Sequence, residues 1–297
     1  MTASLAGRVA VVTGAGRGLG RQHALLMAAE GARVVVNDRG GRADGSGAGD
    51  AGPARDVVAE IRAAGGVAVA NADDVADWEG ARRLVACAIE EFGALHVLVN
   101  NAGILRDRFL VNMSAEEWDD VVRVHLRGHF APTRWAAAHW REQAKAGAPA
   151  LASVINTSST SGLLGNPGQA NYGAAKAGIA ALTQCAAAEL GRYGVRVNAI
   201  APLARTRLTQ STPPLAASVA PPTDPEAFDT WHPANVSPLV AYLATRDCPL
   251  SGQVFLVHGR SIQRFEPWSA AETLEAPGRW TIDGLQAALA RFAAPDG

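Results

Sequence analysis

Short apolar runs rich in β-branched residues recur along this chain, separated by longer stretches of helix-forming composition. Arg8 to Thr13 reads Arg-Val-Ala-Val-Val-Thr, the pattern of a buried strand. Comparable runs predict further strands at 33–37, 67–70, 95–100, 151–157, 195–200 and 253–257, with helices between them. Strand and helix signals that alternate in this way predict a doubly wound α/β fold: a parallel sheet of about seven strands with helices on both faces. Local signals mark several helices. Ser114-Ala115-Glu116-Glu117 is a capping box that starts a long helix. Asp77 is placed to cap the start of a helix ending near Gly93. A helix is expected from about Asn171 to Arg192.

Two segments break the alternation. Residues 39–53, rich in Gly, Ala and Asp, form a long loop after the second strand. Residues 202–235 are proline-rich and lack periodicity. They follow the sixth strand, at the sheet edge where open α/β folds bind ligands, and are expected to form a substrate lid. Residues 1–259 are therefore expected to form one domain, with 260–297 as a C-terminal extension. In that extension Phe265, Trp268, Leu274, Trp280 and Leu285 are too apolar for a solvated tail, so it is expected to pack on its own domain or on a partner subunit. A short helix is expected there from about Thr281 to Phe292.

Composition narrows the function classes. A chain of 297 residues can bury a large core. Its formal net charge of −1 gives neither a nucleic-acid footprint nor a basic membrane patch. No apolar run approaches the ~18 residues of a membrane span. Cys87, Cys185 and Cys248 are far apart and lack metal-ligand spacing, which fits a reduced compartment. The terminal Ala294-Pro295-Asp296-Gly297 is no peroxisomal address, so a cytoplasmic location is expected.

Two constellations carry chemistry. The first strand runs into Gly14-Ala15-Gly16-Arg17-Gly18-Leu19-Gly20 and then a helix. Glycines permit the tight turn and close backbone approach, and a helix start offers free N–H groups to a phosphate. The second strand ends at Asp38, twenty residues after Gly18, where a carboxylate accepts hydrogen bonds from an adenosine ribose. The second constellation is Tyr172 and Lys176, four apart on one helix face. A free phenol has a pKa of about 10, and moving it to about 7 requires roughly 4 kcal/mol of selective stabilisation of the anion. The Lys176 ammonium is the expected source of much of it.

Four motifs in order resemble the short-chain dehydrogenase/reductase family, over roughly residues 6 to 259. They are Thr13-Gly14 with Gly18 and Gly20, Asn100 to Gly103, a serine thirteen residues before the tyrosine at Ser159 rather than Ser158, and Tyr172 with Lys176. A narrower resemblance lies in Val36-Asn37-Asp38 with Gly40-Gly41, Gly103 to Arg108, Val124 to Gly128 and Gly165 to Gln169. These segments are similar to the hydroxyacyl-CoA dehydrogenase part of peroxisomal multifunctional enzyme type 2 and to related bacterial dehydrogenases of acyl-CoA and steroid metabolism.

The resemblance implies a Rossmann-type fold and a catalytic Ser159, Tyr172 and Lys176. Tyr172 exchanges the proton of an alcohol or carbonyl, Ser159 holds the same oxygen, and Lys176 bonds the nicotinamide ribose. It also implies cofactor contacts at Gly14, Arg17, Gly18, Leu19, Gly20, Asp38, Asp74, Val75, Asn101, Ala102, Gly103, Pro202 and Thr206, besides Tyr172 and Lys176. Asp73 competes with Asp74 for the adenine contact. Where the family often has Pro-Gly, this chain has Pro202-Leu203. Where many members place a relay asparagine, it has His125, read either as a relay member or as a core histidine bonded to backbone. His125, His129 and His139 share one expected helix but lack ligand-spaced acids or cysteines, so no metal is expected. Asp38 favours NAD, whereas Arg17 and Arg39 would suit a 2′-phosphate.

The expected function is NAD-dependent oxidation of a bulky apolar secondary alcohol, a 3-hydroxyacyl-CoA or a hydroxysteroid, by a homodimer or homotetramer. The alternatives are an NADPH-dependent 3-oxoacyl carrier-protein reductase and a non-catalytic nucleotide-binding protein.

Overall fold

The computed structural model describes residues 4–47, 49–210, 213–224, 226–266 and 268–292. Its strands are β1 (Val9–Thr13), β2 (Arg33–Asn37), β3 (Val67–Asn71), β4 (Val97–Asn100), β5 (Ala152–Thr157), β6 (Val195–Leu203), β7 (Val254–His258) and β8 (Ser261–Phe265). The helices are α1 (Gly18–Ala29), α2 (Gly52–Ala63), α3 (Trp78–Phe92), α4 (Ala115–Val122), α5 (Gly128–Lys145), α6 (Thr160–Leu164), α7 (Ala170–Leu190), α8 (Arg207–Gln210), α9 (Pro213–Ser218), α10 (Ser237–Ala244) and α11 (Ile282–Leu289). One sheet holds all eight strands in the order β3-β2-β1-β4-β5-β6-β7-β8. The first seven are parallel, and β8 pairs antiparallel with β7.

The seven strands expected from the apolar runs are all present, and the eighth was not expected. It begins just beyond the boundary drawn at residue 259. Gly259, at φ +54°, makes the reversal that lets Ser261 pair with His258. As an edge strand β8 is largely exposed, so it lacks the apolar run that announces the others.

Covering both faces of the sheet explains why β1 is buried at every position. Ala10 and Val12 belong to the core beneath α1, α2 and α10. Val9 and Val11 point the other way, into the core shared with α3 and α5. The caps form as expected. Asp77 accepts a bond from the Gly80 N–H at 2.7 Å, and Gly93 ends α3 in the left-handed region at φ +76°. Ser114 and Glu117 close a reciprocal capping box.

The long helix after Ser114 is broken, however. A π-helical turn, Arg123–Arg127, separates α4 from α5, so His125 lies on that turn and His129 and His139 on α5. Residues 266–292 form a separate unit containing α11, whose Thr281 accepts a bond from the Gly284 N–H at 3.1 Å. Within this unit Trp268 is 91% exposed.

Candidate active site

Strand order reverses between β1 and β4, because β1 leads outward to β2 and β3 while β4 leads to β5 on its other side. Connections leaving in opposite directions open a crevice at the strands' C-terminal ends. A cleft of about 450 Å³ lies there. Gly14, Arg17, Gly18, Leu19, Asp38, Asp74, Val75, Asn101, Ala102, Gly103, His125, Ser159, Tyr172, Lys176, Pro202 and Thr206 all line it. Every expected site residue except Gly20 is thus on its wall.

Gly20 acts behind the wall. A Cβ there would stand 2.3 Å from the Gly14 carbonyl oxygen and 2.6 Å from Asn101 Nδ2, so only glycine lets α1 start against the turn. Gly14 has φ +61° and Gly18 φ +54°, both in the left-handed region. Asn101 staples β4 to this turn, donating from Nδ2 to the Thr13 carbonyl at 2.9 Å and to the Gly14 carbonyl at 3.2 Å. Asp38 closes it from the β2 side. Its carboxylate accepts from the Gly16 N–H at 2.9 Å and from the Gly40 N–H at 2.7 Å. Backbone freedom at the start of a twelve-residue helix makes this turn a cradle suited to a dinucleotide diphosphate.

Of the two acids after β3, Asp74 bonds Arg123 Nη2 at 2.9 Å and Asp73 pairs with Arg83 at 2.7 Å. Thr206 lies next to the cradle, its Cγ2 at 3.6 Å from where a Gly18 Cβ would be.

Ser159, Tyr172 and Lys176 come together on the opposite wall. Ser159 caps α6, and its hydroxyl accepts from the Ser161 N–H at 3.2 Å. Ser158 Oγ instead donates to the Lys176 carbonyl at 2.8 Å, so its hydroxyl ties β5 to α7. Gly162 lets α6 approach α7. A Cβ there would fall 2.5 Å from the Ala177 nitrogen and 2.6 Å from the Lys176 carbonyl carbon. The sequence argument passed over this glycine because nothing local distinguishes a packing glycine from a turn glycine.

Lys176 Nζ lies 5.4 Å from the Tyr172 ring centroid and donates to the Thr157 carbonyl at 2.5 Å. Burial pushes the Tyr172 phenol up to about 12, against the pull of its hydrogen bond to Ser159, and the Asp107 charge adds to the rise. Burial pushes the Lys176 ammonium down to about 7. The pull expected of Lys176, which a positive nicotinamide ring is to share, is outweighed by burial in the cofactor-free protein. In the protein alone both groups are driven toward their uncharged forms, because burial disfavours either charge.

His125 lies edge-on to Tyr172, with ring centroids 5.0 Å apart. Its Nε2 is 2.8 Å from the Ile104 carbonyl oxygen and 3.1 Å from the Ile104 nitrogen. Burial, then the nearby Lys176, hold its pKa well below the ordinary value. The ring is thus neutral and bonded to backbone. Leu203 at the end of β6, and Arg207, Leu208, Val219 and Trp231 of the insert after it, complete the cleft. It is anchored by the Arg205–Asp229 ion pair and by the Arg205 N–H, which donates to the Trp231 carbonyl at 2.7 Å.

The family model described as short chain dehydrogenase matches residues 8–215. The chain belongs to this family. It is therefore an oxidoreductase of a family that uses nicotinamide cofactors. It is 47% identical over 296 residues to the hydroxyacyl-CoA dehydrogenase ChsB1 of Mycobacterium tuberculosis, covering 97% of this chain and 89% of that one. It is 45% identical over 251 residues to mouse peroxisomal multifunctional enzyme type 2, covering 84% of this chain but only 31% of that enzyme. A crystal structure of a short chain dehydrogenase from Mycobacterium avium superposes with a TM-score of 0.85 at 50% identity, covering 97% of this chain and 95% of that one.

Proposed function

We propose that this dehydrogenase oxidises the 3-hydroxyl of a 3-hydroxyacyl-CoA with NAD, and that a hydroxysteroid or steroid-derived acyl-CoA is the next substrate class. The observation that carries the reading is the meeting of Ser159, Tyr172 and Lys176 on one wall of the cleft whose other wall is the glycine cradle. The similarity to ChsB1 supports the substrate class.

The turn at Gly14 to Gly18 would hold the cofactor diphosphate, Asp38 the adenosine ribose, and Lys176 the nicotinamide ribose. A bound oxidised cofactor would supply the hydride acceptor and a positive charge that favours the Tyr172 phenolate. Tyr172 accepts the hydroxyl proton as the substrate carbon loses its hydride, and returns it in the reverse reaction. Ser159 bonds the reacting oxygen, and His125 steadies the Ile104 backbone beside Tyr172. Leu203, Leu208, Val219 and Trp231 cover the substrate, and the protein works as a homodimer or homotetramer. The protein acts in the cytoplasm. Among the described residues no helix is long and apolar enough to cross a membrane.

NAD is favoured because a carboxylate at the end of β2 repels a 2′-phosphate at close range. A second reading, an NADPH-dependent 3-oxoacyl carrier-protein reductase, is favoured by Arg17, whose buried Nη1 has no partner among the described residues. Fluorescence titration with NADH and NADPH separates the two, and tighter binding of NADPH would remove the first. Turnover of a panel of acyl-CoA and steroid alcohols, followed by NADH formation, tests the substrate class. On the best substrate Tyr172→Phe is expected to lose at least ~10²-fold in kcat. Unchanged turnover in that variant would end the proposed chemistry.

A further inference from the structure

Arg207 lines the cleft, and neither the sequence argument nor the proposed chemistry uses it. It is the first residue of α8, at the head of the insert that follows β6. The residue before it is placed by contact. Thr206 Cγ2 lies 3.6 Å from where a Gly18 Cβ would be, so the insert begins beside the start of α1. The turn is closed by its own side chains. The Thr209 N–H donates to Thr206 Oγ1 at 3.3 Å, and the Thr206 N–H donates to Thr209 Oγ1 at 2.8 Å. Thr209 Oγ1 also lies 3.1 Å from the Ala204 carbonyl oxygen. Local bonds that do not involve the Arg205–Asp229 pair therefore hold Arg207 next to the cradle.

Two guanidinium groups meet there. Arg207 lies within electrostatic reach of Arg17, which stands on the glycine turn, and of Asp38, just after β2. Like charges brought together cost free energy unless an anion joins them. Arg39 and Arg123 on the same cleft have one, since both pair with Asp74, at 3.4 and 2.9 Å. Arg17 and Arg207 do not. Among the described residues neither guanidinium has a hydrogen bond or ion pair, and Arg17 Nη1 is buried with no partner. Asp38 offsets the two charges only in part, because its two oxygens already accept from the Gly16 and Gly40 N–H groups. Partial burial, then the neighbouring Arg17, hold the Arg207 pKa below its ordinary value. An anion bound at this point would relieve both effects.

The anion that fits is a diphosphate. The glycine turn offers it free N–H groups, and planar guanidinium forks bond phosphate oxygens in pairs. We propose that Arg207 is a cofactor-binding residue supplied by the insert: its guanidinium, with that of Arg17, neutralises the cofactor diphosphate, so that a bound dinucleotide fastens the head of the insert. Leu208, the next residue, lines the cleft, so fastening Arg207 also sets part of the wall over the substrate. The cofactor stabilises the fastened arrangement by the difference in its affinity for the two states. The inference rests on the proposed binding of a dinucleotide at the glycine turn.

The test titrates the full chain with NADH and with NADPH by fluorescence, comparing wild type, R207M and R207K. At low salt R207M is expected to bind both dinucleotides about tenfold more weakly, as the loss of one charge-assisted contact implies. R207K keeps the charge without the fork and should lose about threefold. Raising the ionic strength to about 0.5 M should narrow the gap between wild type and R207M, because screening weakens the contact that the variant lacks. Saturating NADH should also slow chymotryptic cleavage after Leu208 several-fold more in wild type than in R207M. The proposal is overturned if R207M binds NADH as tightly as wild type, or if NADH protects the Leu208 bond equally in both. A loss confined to NADPH overturns it as well, because that places Arg207 at the 2′-phosphate. If R207M does not fold, R207K carries the same expectations at its smaller loss and the same overturning outcomes. A wild-type chain that binds neither dinucleotide sinks the proposed cofactor and the role of Arg207 together, whereas tight NADH binding by both wild type and R207M sinks only the role of Arg207.

Discussion

The glycine cradle and the insert after β6 border the same cleft but are built in different ways. The cradle is a stretch of main chain pinned at several points by the side chains of Asn101 and Asp38. Asn101 bonds the Thr13 and Gly14 carbonyls, Asp38 accepts from the Gly16 and Gly40 N–H groups, and Gly14, Gly16 and Gly20 leave no room for a side chain. The insert is held by side chains reaching across long loops, with the Arg205–Asp229 pair at its centre and Asn235 Nδ2 donating to the Asp229 carbonyl at 2.8 Å. A site wall made of backbone is rigid and intolerant of added atoms. One made of side-chain clamps can open when a single clamp is removed. This division suits an enzyme whose cofactor is constant and whose substrate must be admitted and released.

The largest expected effect breaks the rigid wall. Gly20→Ala drives a Cβ to within 2.3 Å of the Gly14 carbonyl, and backbone cannot yield as a flexible side chain can. A destabilisation of about 3 kcal/mol and a loss of at least ~10²-fold in NADH affinity are expected, read by thermal melting and fluorescence titration. Wild-type affinity in that variant would show that the cradle is less rigid than its contacts imply.

Arg205→Met tests the other wall. The two partners are only 15% and 21% exposed, so a carboxylate left without its cation costs on the order of 2 kcal/mol locally. Substrate KM should rise ~10-fold and residues 204–236 should become sensitive to protease, while NADH affinity stays within about twofold. An equal loss of NADH affinity would mean that the two walls are one mechanical unit.

Asp38→Ser should have a smaller effect. The serine retains a weaker acceptor but removes the charge, so NAD binding should weaken several-fold and the preference should shift toward NADP. Competition titrations with both cofactors measure the shift, and an unchanged ratio would assign cofactor choice to Arg17 and Arg207 instead.

The smallest effect lies between the two walls and is read in the slope of stability against pH. Lys176 falls from 10.5 to about 7 on folding, so between those values the unfolded chain binds more protons and stability rises with pH. Tyr172 rises from 10.0 to about 12, so above pH 10 the unfolded chain loses its proton first and stability falls. Thermal melts of the cofactor-free protein should therefore show a rise from pH 7 toward pH 10 that Lys176→Met lacks. Parallel curves for the two proteins would mean that the ammonium is not desolvated as its burial implies.

These contrasts track what could be read before the fold was known. Gly14, Gly18, Asp38, Ser159, Tyr172 and Lys176 announced themselves because each lies in a short motif with a physical reason for its spacing. Gly162 did not. Its importance depends on α6 meeting α7, and nothing in the local sequence shows that approach. The edge strand β8 was missed because its residues are exposed and carry no buried run. The upward push of burial on Tyr172 in the cofactor-free protein was not legible for a related reason. Helix spacing places a cation near the phenol but says nothing of how deeply both are buried.

The apolar pattern, the glycine turn and the short motifs therefore carried the parallel α/β architecture and the expectation that Ser159, Tyr172 and Lys176 meet, because strand period, turn freedom and helix pitch are local properties of a chain. Depth of burial, the meeting of the Thr157 carbonyl with Lys176, and the clamp on the insert were decided only when distant segments met. Desolvation and long-range hydrogen bonding belong to the packed molecule and have no local signature.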